Sequence, residues 1–463
     1  MPPAPARPRG RMGERAWQAG IALSLALAAA IPALCLAKLW PFLGEMPTWD
    51  EWSVVEVWSA HFGGRPVLPL LLAPYNGHYN LLPRFIFYGL GLLTHWNLHA
   101  ETMLCYLSAA GILLVLLRML WETRPRLLVL AAPVAAYVFS LAQYNNLLYG
   151  YPFGQWLGQL AATVAIYLLT RPAGSRRAFA GAVACGIVST FSYAATLAVW
   201  PAGLAVMLAR RPRASIRRLA VWLAFSAGAF ALARVGAGTI GVTAVHRRVI
   251  GPFFLVVLGH PLEIGIVPTI PRSAVLGGIL LVAFLALVFA RWRENPEDPL
   301  LLRWGGVGLL AICSALLIAA GRSSTGLQQS LVPHYVTAAT PLVLAVLVLA
   351  FDRLERAASA AAGAGTARRP VRAALAGLAA AALLVAALVQ PTLSGVRILP
   401  TLRTWMELSL AHDVRIAQGL ATDAEIRETH FPVPAYVRSA LETLRANRLA
   451  WYAPGRTNPP ARP

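Results

Sequence analysis

Apolar residues in this chain do not alternate with polar ones. They come in nearly unbroken runs of about 18 to 22, the length that crosses a hydrocarbon core of roughly 30 Å as a helix. A first run extends from Trp17 to about Phe42, and clear runs follow at about 100–121, 126–142, 152–170, 216–236, 273–291, 303–320, 333–351 and 372–390. Arginines gather in the short stretches between them. The pattern predicts an all-α polytopic membrane protein.

Charge then orients the runs. Arg7, Arg9, Arg11 and Arg15 precede the first run, which puts the N-terminus in the cytoplasm by the positive-inside rule. That run is too long for a signal-peptide core and lacks an evident small-residue cleavage site, so it reads as a retained helix. Residues 1–16 are then a cytoplasmic tail, 17–390 the membrane domain, and 43–99 a first outer loop. Within that loop, PRFIFYGLGLLTHW at 83–96 predicts an interfacial or re-entrant helix, because a crossing there would put the Arg118–Arg126 loop outside. Residues 176–209, bounded by Arg176/Arg177 and Arg210/Arg211, fit a hairpin of two short helices meeting near Ser192-Tyr193. The charged loops Arg291–Arg303 and Asp352–Arg372 read as cytoplasmic connections. The sum is about eleven spans (roughly 10 to 13) with the C-terminus outside. Residues 391–463 form a polar extracytoplasmic tail, with helical periodicity from Val437 to Leu449.

Composition sharpens this picture. Of 463 residues, 58% are hydrophobic and 13% charged, against roughly 25% charged in an ordinary soluble domain. So few charges cannot cover a water-facing surface, which excludes a soluble enzyme, a secreted disulfide scaffold and a disordered chain. The formal net charge of +21 is spread over inter-run loops, with no basic face interleaved with aromatics, so nucleic acid is not a partner. Cys35, Cys105, Cys185 and Cys313 lie far apart inside apolar runs and read as small buried side chains, without a disulfide or zinc framework.

With this topology, three outer loops hold the polar groups that could do chemistry. Asp50 and Glu51 follow the first span, flanked by Trp49 and Trp52. A carboxylate pair held at the interface is partly desolvated, which raises its basicity and suits it to accept a proton. The competing reading is that Asp50 caps a helix beginning at Glu51 or Trp52. Further on, Asn76 and His78 gather donors before Arg84, which can fork onto a phosphate; interfacial anchoring explains them equally well. The second loop carries Asn145 and Asn146 among tyrosines, with Gln155 one turn into the next helix. Such groups suit sugar hydroxyls and are also ordinary interface residues. In the third loop Arg322 ends a span against the positive-inside bias, followed by His334 and Tyr335. Arg322 could neutralise a lipid-linked phosphate, or snorkel to headgroups.

No Walker loop, HExxH or GxSxG motif occurs. Adjacent Asp50 and Glu51 would not both face one ion without outside ligands, so no cofactor is expected, and a divalent metal is possible but not favoured.

WDEW at 49–52, NGHYNLLPR at 76–84, NNLLYGY at 145–151, Trp200-Pro201, GRSSTG at 321–326 and HY at 334–335 resemble the GT-C superfamily of integral-membrane glycosyltransferases. The closer resemblance is to uncharacterised bacterial polytopic membrane proteins of that type. The resemblance implies transfer of a sugar from a polyprenyl-phosphate donor on the outer face of the bacterial inner membrane. It implies Asp50 as general base toward a lipid, glycan or protein acceptor, Glu51 as supporting acid, and Arg84 and Arg322 as partners of the leaving phosphate. One departure is Tyr75-Asn76-Gly77-His78-Tyr79, where the close group has a more charged HNEHR-like stretch; this touches the donor geometry. A lipid-linked glycan polymerase or ligase, and a flippase for such a glycan, are the alternatives. A transferase depends on Asp50, whereas a flippase depends on residues within the spans.

Overall fold

The computed structural model describes residues 11–75, 79–171, 175–210, 215–237, 244–264, 268–362 and 369–455. Among these the chain is mostly helical, and eight helices are long and apolar enough to cross a membrane by length and composition. They are Glu14–Phe42, Leu98–Thr123, Pro125–Gln143, Ile216–Val235, Ile270–Glu294, Pro299–Thr325, Pro333–Ala360 and Ala373–Ala417. The other three expected spans correspond to shorter helices: Phe153–Leu169, and the pair Arg176–Thr190 and Val199–Ala209, which turn at Phe191–Tyr193. An all-α polytopic membrane protein therefore stands. Leu81–Thr94 forms a 14-residue helix, about 21 Å at 1.5 Å per residue and shorter than a crossing.

Two regions depart from the sequence reading. Ala244–Gly259, expected to lie in a loop, is a 16-residue helix with Phe253, Val256, Val257 and Leu258 fully buried. It packs antiparallel on Ile270–Glu294, so closely that a Cβ on Gly259 would overlap the Ser273 carbonyl and one on Gly277 the Leu255 carbonyl. Two glycines allow that approach. The second departure is Arg369–Ala417, a single 49-residue helix that runs unbroken through residue 390.

The long helices connect two unlike ends. At one end, arginines from several helices converge on a few carboxylates. Glu122 accepts from Arg118 and Arg171 at 2.8 Å, Tyr167 at 2.9 Å and Arg303 at 3.0 Å. Asp352, fully buried, accepts from Arg124 at 2.5 Å and Arg356 at 2.9 Å. Arg291 bridges Asp298 and Glu294. These contacts bind five helices to one another, and each buried charge has a partner, as burial demands.

At the other end the loops form a second, smaller core. Met46, Trp52, Val55 and Trp58 of the first loop pack with Trp96, Leu98 and tail residues Ile416, Ile426, Val437, Leu444 and Trp451. Backbone bonds join the two layers: Trp49 N donates to His430 O at 2.6 Å, and Ala450 N to His95 O at 2.9 Å. The Tyr436 hydroxyl donates to Trp52 O at 2.9 Å. The tail thus holds the WDEW turn in place.

Candidate functional site

The turn Trp49–Val54 begins at Thr48, whose extended backbone is that of an N-cap. The Thr48 N–H and hydroxyl both donate to Glu51 Oε2, at 2.9 and 3.2 Å. Thr48, and not Asp50, is therefore the capping residue, which overturns the competing account of Asp50. The reason is the T-x-x-E spacing, which lets the carboxylate three residues on reach back to the cap. Glu51 Oε1 accepts from Gly150 N at 2.9 Å, and the side chain is 3% exposed. Burial outweighs these donors and pushes its pKa up to about 7.

Glu101 lies beneath, in the first turn of Leu98–Thr123, 1% exposed and held by Trp96 Nε1 at 3.0 Å. A Cβ on Gly150 would stand 2.8 Å from Glu101 Oε2 and 3.4 Å from Glu51 Oε1. Only glycine lets the chain pass between the two carboxylates. Glu101 escaped the sequence reading, although an acid inside an apolar run is itself a signal.

Asp50 has different surroundings. It is half-buried and accepts from the Tyr75 hydroxyl at 3.0 Å. Burial, followed by the Asp50 charge, raises the pKa of Tyr75 and of Tyr151, so both phenols stay protonated beside it. Asp50 also reaches Tyr193 electrostatically, and Tyr193 in turn feels Arg322 and Tyr335. Arg322 is half-buried and forms no carboxylate ion pair among the described residues; His334 and Tyr335 lie within reach of its charge.

The amides play a supporting part. Asn146 Nδ2 donates to His334 O at 2.9 Å and to Thr337 Oγ1 at 2.5 Å, and Gln155 Nε2 donates to the same His334 carbonyl at 2.7 Å. They staple the second loop to the third, which fixes His334-Tyr335 near Arg322. Asn145, half-buried, begins the short helix that carries Asn146. Arg84 faces its own loop, with Nη1 donating to Leu70 O at 2.9 Å and Ala73 O at 2.6 Å and its guanidinium over the Tyr75 ring. It secures the segment that delivers Tyr75 to Asp50. Asn76 and His78 lie outside the described residues.

Of the sequence candidates, Asp50 and Glu51 share the Trp49–Val54 turn, and Asn146 and Gln155 meet on the His334 carbonyl. Among the described residues no three metal-ligating side chains gather. No family model, curated protein or solved structure matches the chain. Function has to be argued from the site's own chemistry. A half-buried carboxylate such as Asp50 can take a proton, and an arginine such as Arg322, which has no carboxylate partner among the described residues, can stabilise a departing anion.

Proposed function

We propose that the chain is a glycosyltransferase that moves a sugar from a polyprenyl-phosphate donor to a lipid, glycan or protein acceptor. In this reading the loop end faces outward from the bacterial inner membrane, with the arginine end cytoplasmic, as the positive-inside bias favours. What supports it is a half-buried Asp50 in the first loop, taking a hydrogen bond from the Tyr75 hydroxyl at 3.0 Å, and a half-buried Arg322 in the third loop that forms no carboxylate ion pair among the described residues.

The reaction is a single displacement. Asp50 removes the proton from the acceptor hydroxyl as its oxygen bonds the anomeric carbon. The bond from that carbon to the phosphate oxygen breaks, and the phosphate leaves with its electron pair toward Arg322. Two features make Asp50 the better base than Glu51. Asp50 is half-buried, with the Tyr75 hydroxyl donating to it, whereas Glu51 is sealed and holds the Thr48 and Gly150 N–H groups. Arg84 acts as a positioning residue through Tyr75, in place of the phosphate contact implied by the resemblance. A lipid phosphate is a fair leaving group, so charge neutralisation suffices to drive its departure.

The test uses the full chain in nanodiscs with radiolabelled polyprenyl-phosphate sugars from a bacterial extract. Free lipid phosphate should appear with the native chain and vanish with Asp50→Asn. Lipid-linked sugar crossing the bilayer intact, with no release from any donor, would replace the transferase by a flippase.

A further inference from the structure

The arginines divide into two groups. From residue 123 to 262 the sequence carries thirteen of them and no aspartate or glutamate. Arg124, Arg126 and Arg171 find carboxylates elsewhere in the fold, on Asp352, Glu14 and Glu122. Those around the short hairpin do not. Arg176 and Arg177 open the helix Arg176–Thr190, Arg210 follows Val199–Ala209, and Arg217 stands in the first turn of Ile216–Ala237. None of these four joins an ion pair with a carboxylate among the described residues. Arg211 and Arg213 lie outside the described residues.

The fold gathers these cations. The Arg218 guanidinium lies over the Phe179 ring, 5.6 Å from its centre, so the first turns of Arg176–Thr190 and Ile216–Ala237 stand side by side. Burial, followed by the Arg218 charge, lowers the pKa of Arg210, which brings the end of the intervening helix to the same place. Both first turns carry arginine and neither carries an acid, although the helix dipole favours anions there. Like charges collected at helix N-termini repel one another until an anion joins them.

The surroundings narrow the anion's class. Leu208 is 56% and Ile216 83% exposed, the one two residues before Arg210 and the other next to Arg217. Ile216–Val235 is one of the eight candidate spans, and only 11% of its apolar window is buried, so that helix turns its apolar side chains toward lipid. Arginines at its start therefore stand at headgroup depth. An acidic protein or a nucleic acid would have to cover the exposed leucine and isoleucine with polar surface, whereas a lipid brings the anion and the hydrocarbon together. We propose that Arg176, Arg177, Arg210 and Arg217 form a docking surface for anionic phospholipid, with the headgroup phosphate on the guanidiniums. The inference rests on the chain's place in a membrane and does not depend on the transferase reading.

Electron spin resonance tests it on the full chain reconstituted in phosphatidylcholine membranes, with spin-labelled phosphatidylglycerol or phosphatidylcholine as the probe. At low salt the native chain should hold the anionic probe about fivefold more strongly, and the preference should shrink as salt approaches about 0.5 M. Arg176→Gln/Arg177→Gln/Arg217→Gln should bring it below about twofold, whereas lysine at the same three positions should keep it. Arg353 is also exposed but faces Glu294 at 3.8 Å, so Arg353→Gln should leave the preference intact while Arg177→Gln alone lowers it. The unfolding midpoint checks that each variant has folded; if the triple variant fails to fold, the two single variants decide. Equal retention of both probes by the native chain, or a preference untouched in the folded glutamine variants, would overturn the proposal. So would displacement of the anionic probe by inorganic phosphate or a short oligonucleotide at equal concentration.

Discussion

The two ends of the bundle use their buried carboxylates differently. At the arginine end, Glu122 and Asp352 each satisfy several cations drawn from different helices, so these carboxylates are spent on holding helices together. At the loop end the tail pairs Arg415 with Glu425 and Arg438 with Asp423, and buried His430 bonds Asp413 at 2.7 Å, but Glu51 and Glu101 are buried against hydrogen-bond donors, and among the described residues neither they nor Arg322 join an ion pair. Charges kept apart retain electrostatic reach toward a third body. A protein that only needed to stay folded would gain by pairing them. The difference points to structure at one end and chemistry at the other.

The comparison breaks most visibly at Asp352. Asp352→Ala takes from Arg124 its 2.5 Å partner and from Arg356 one of its two carboxylates, and should cost about 3 kcal/mol, the lower end of the usual loss when a buried pair loses one partner. Chemical unfolding in detergent micelles would reveal it, with donor turnover per folded molecule unchanged. Next comes the pH response of Glu51. Its folded pKa of about 7 lies above the unfolded value, so the folded chain holds the proton more tightly. Stability from this group is complete in acid, and it declines as pH rises from the unfolded value through about 7, by roughly 3 kcal/mol at most. Glu51→Gln should flatten that part of the unfolding profile, while a slope that persists in the variant would assign it to another group.

Arg322→Ala should lower donor turnover by roughly tenfold to a hundredfold with an unchanged unfolding midpoint, and Arg322→Lys should restore part of it. Full activity in Arg322→Ala would remove the leaving-group role. The smallest effect belongs to Asn146→Ala. Loss of its bonds to His334 and Thr337 should cost about 1–2 kcal/mol in unfolding experiments, with a modest fall in turnover as His334-Tyr335 loosens.

Run length and arginine placement made most of the fold legible, because a membrane crossing writes itself as about twenty apolar residues. Ala244–Gly259 escaped because His246, Arg247 and Arg248 open it and sixteen residues fall short of a span; only its fit against Gly277 reveals it. The site was legible in part. WDEW stands out in the sequence, whereas the T-x-x-E spacing that makes Thr48 the cap begins one residue outside it. That Asn146 and Gln155 would share the carbonyl of His334, 188 and 179 positions away in sequence, is a tertiary outcome that no local pattern carries. The same holds for the tail, whose periodicity showed a helix but not that Trp52 would be its partner.

The central claim, chemistry at one end and structure at the other, is tested most directly by measuring unfolding and donor turnover together on Asp50→Asn and Asp352→Asn. Asp50→Asn should keep the native unfolding midpoint and lose release of lipid phosphate by at least about a hundredfold. Asp352→Asn should unfold earlier and release lipid phosphate at the native rate per folded molecule. An Asp50→Asn chain that still releases lipid phosphate, or that is destabilised as much as Asp352→Asn, would contradict the division.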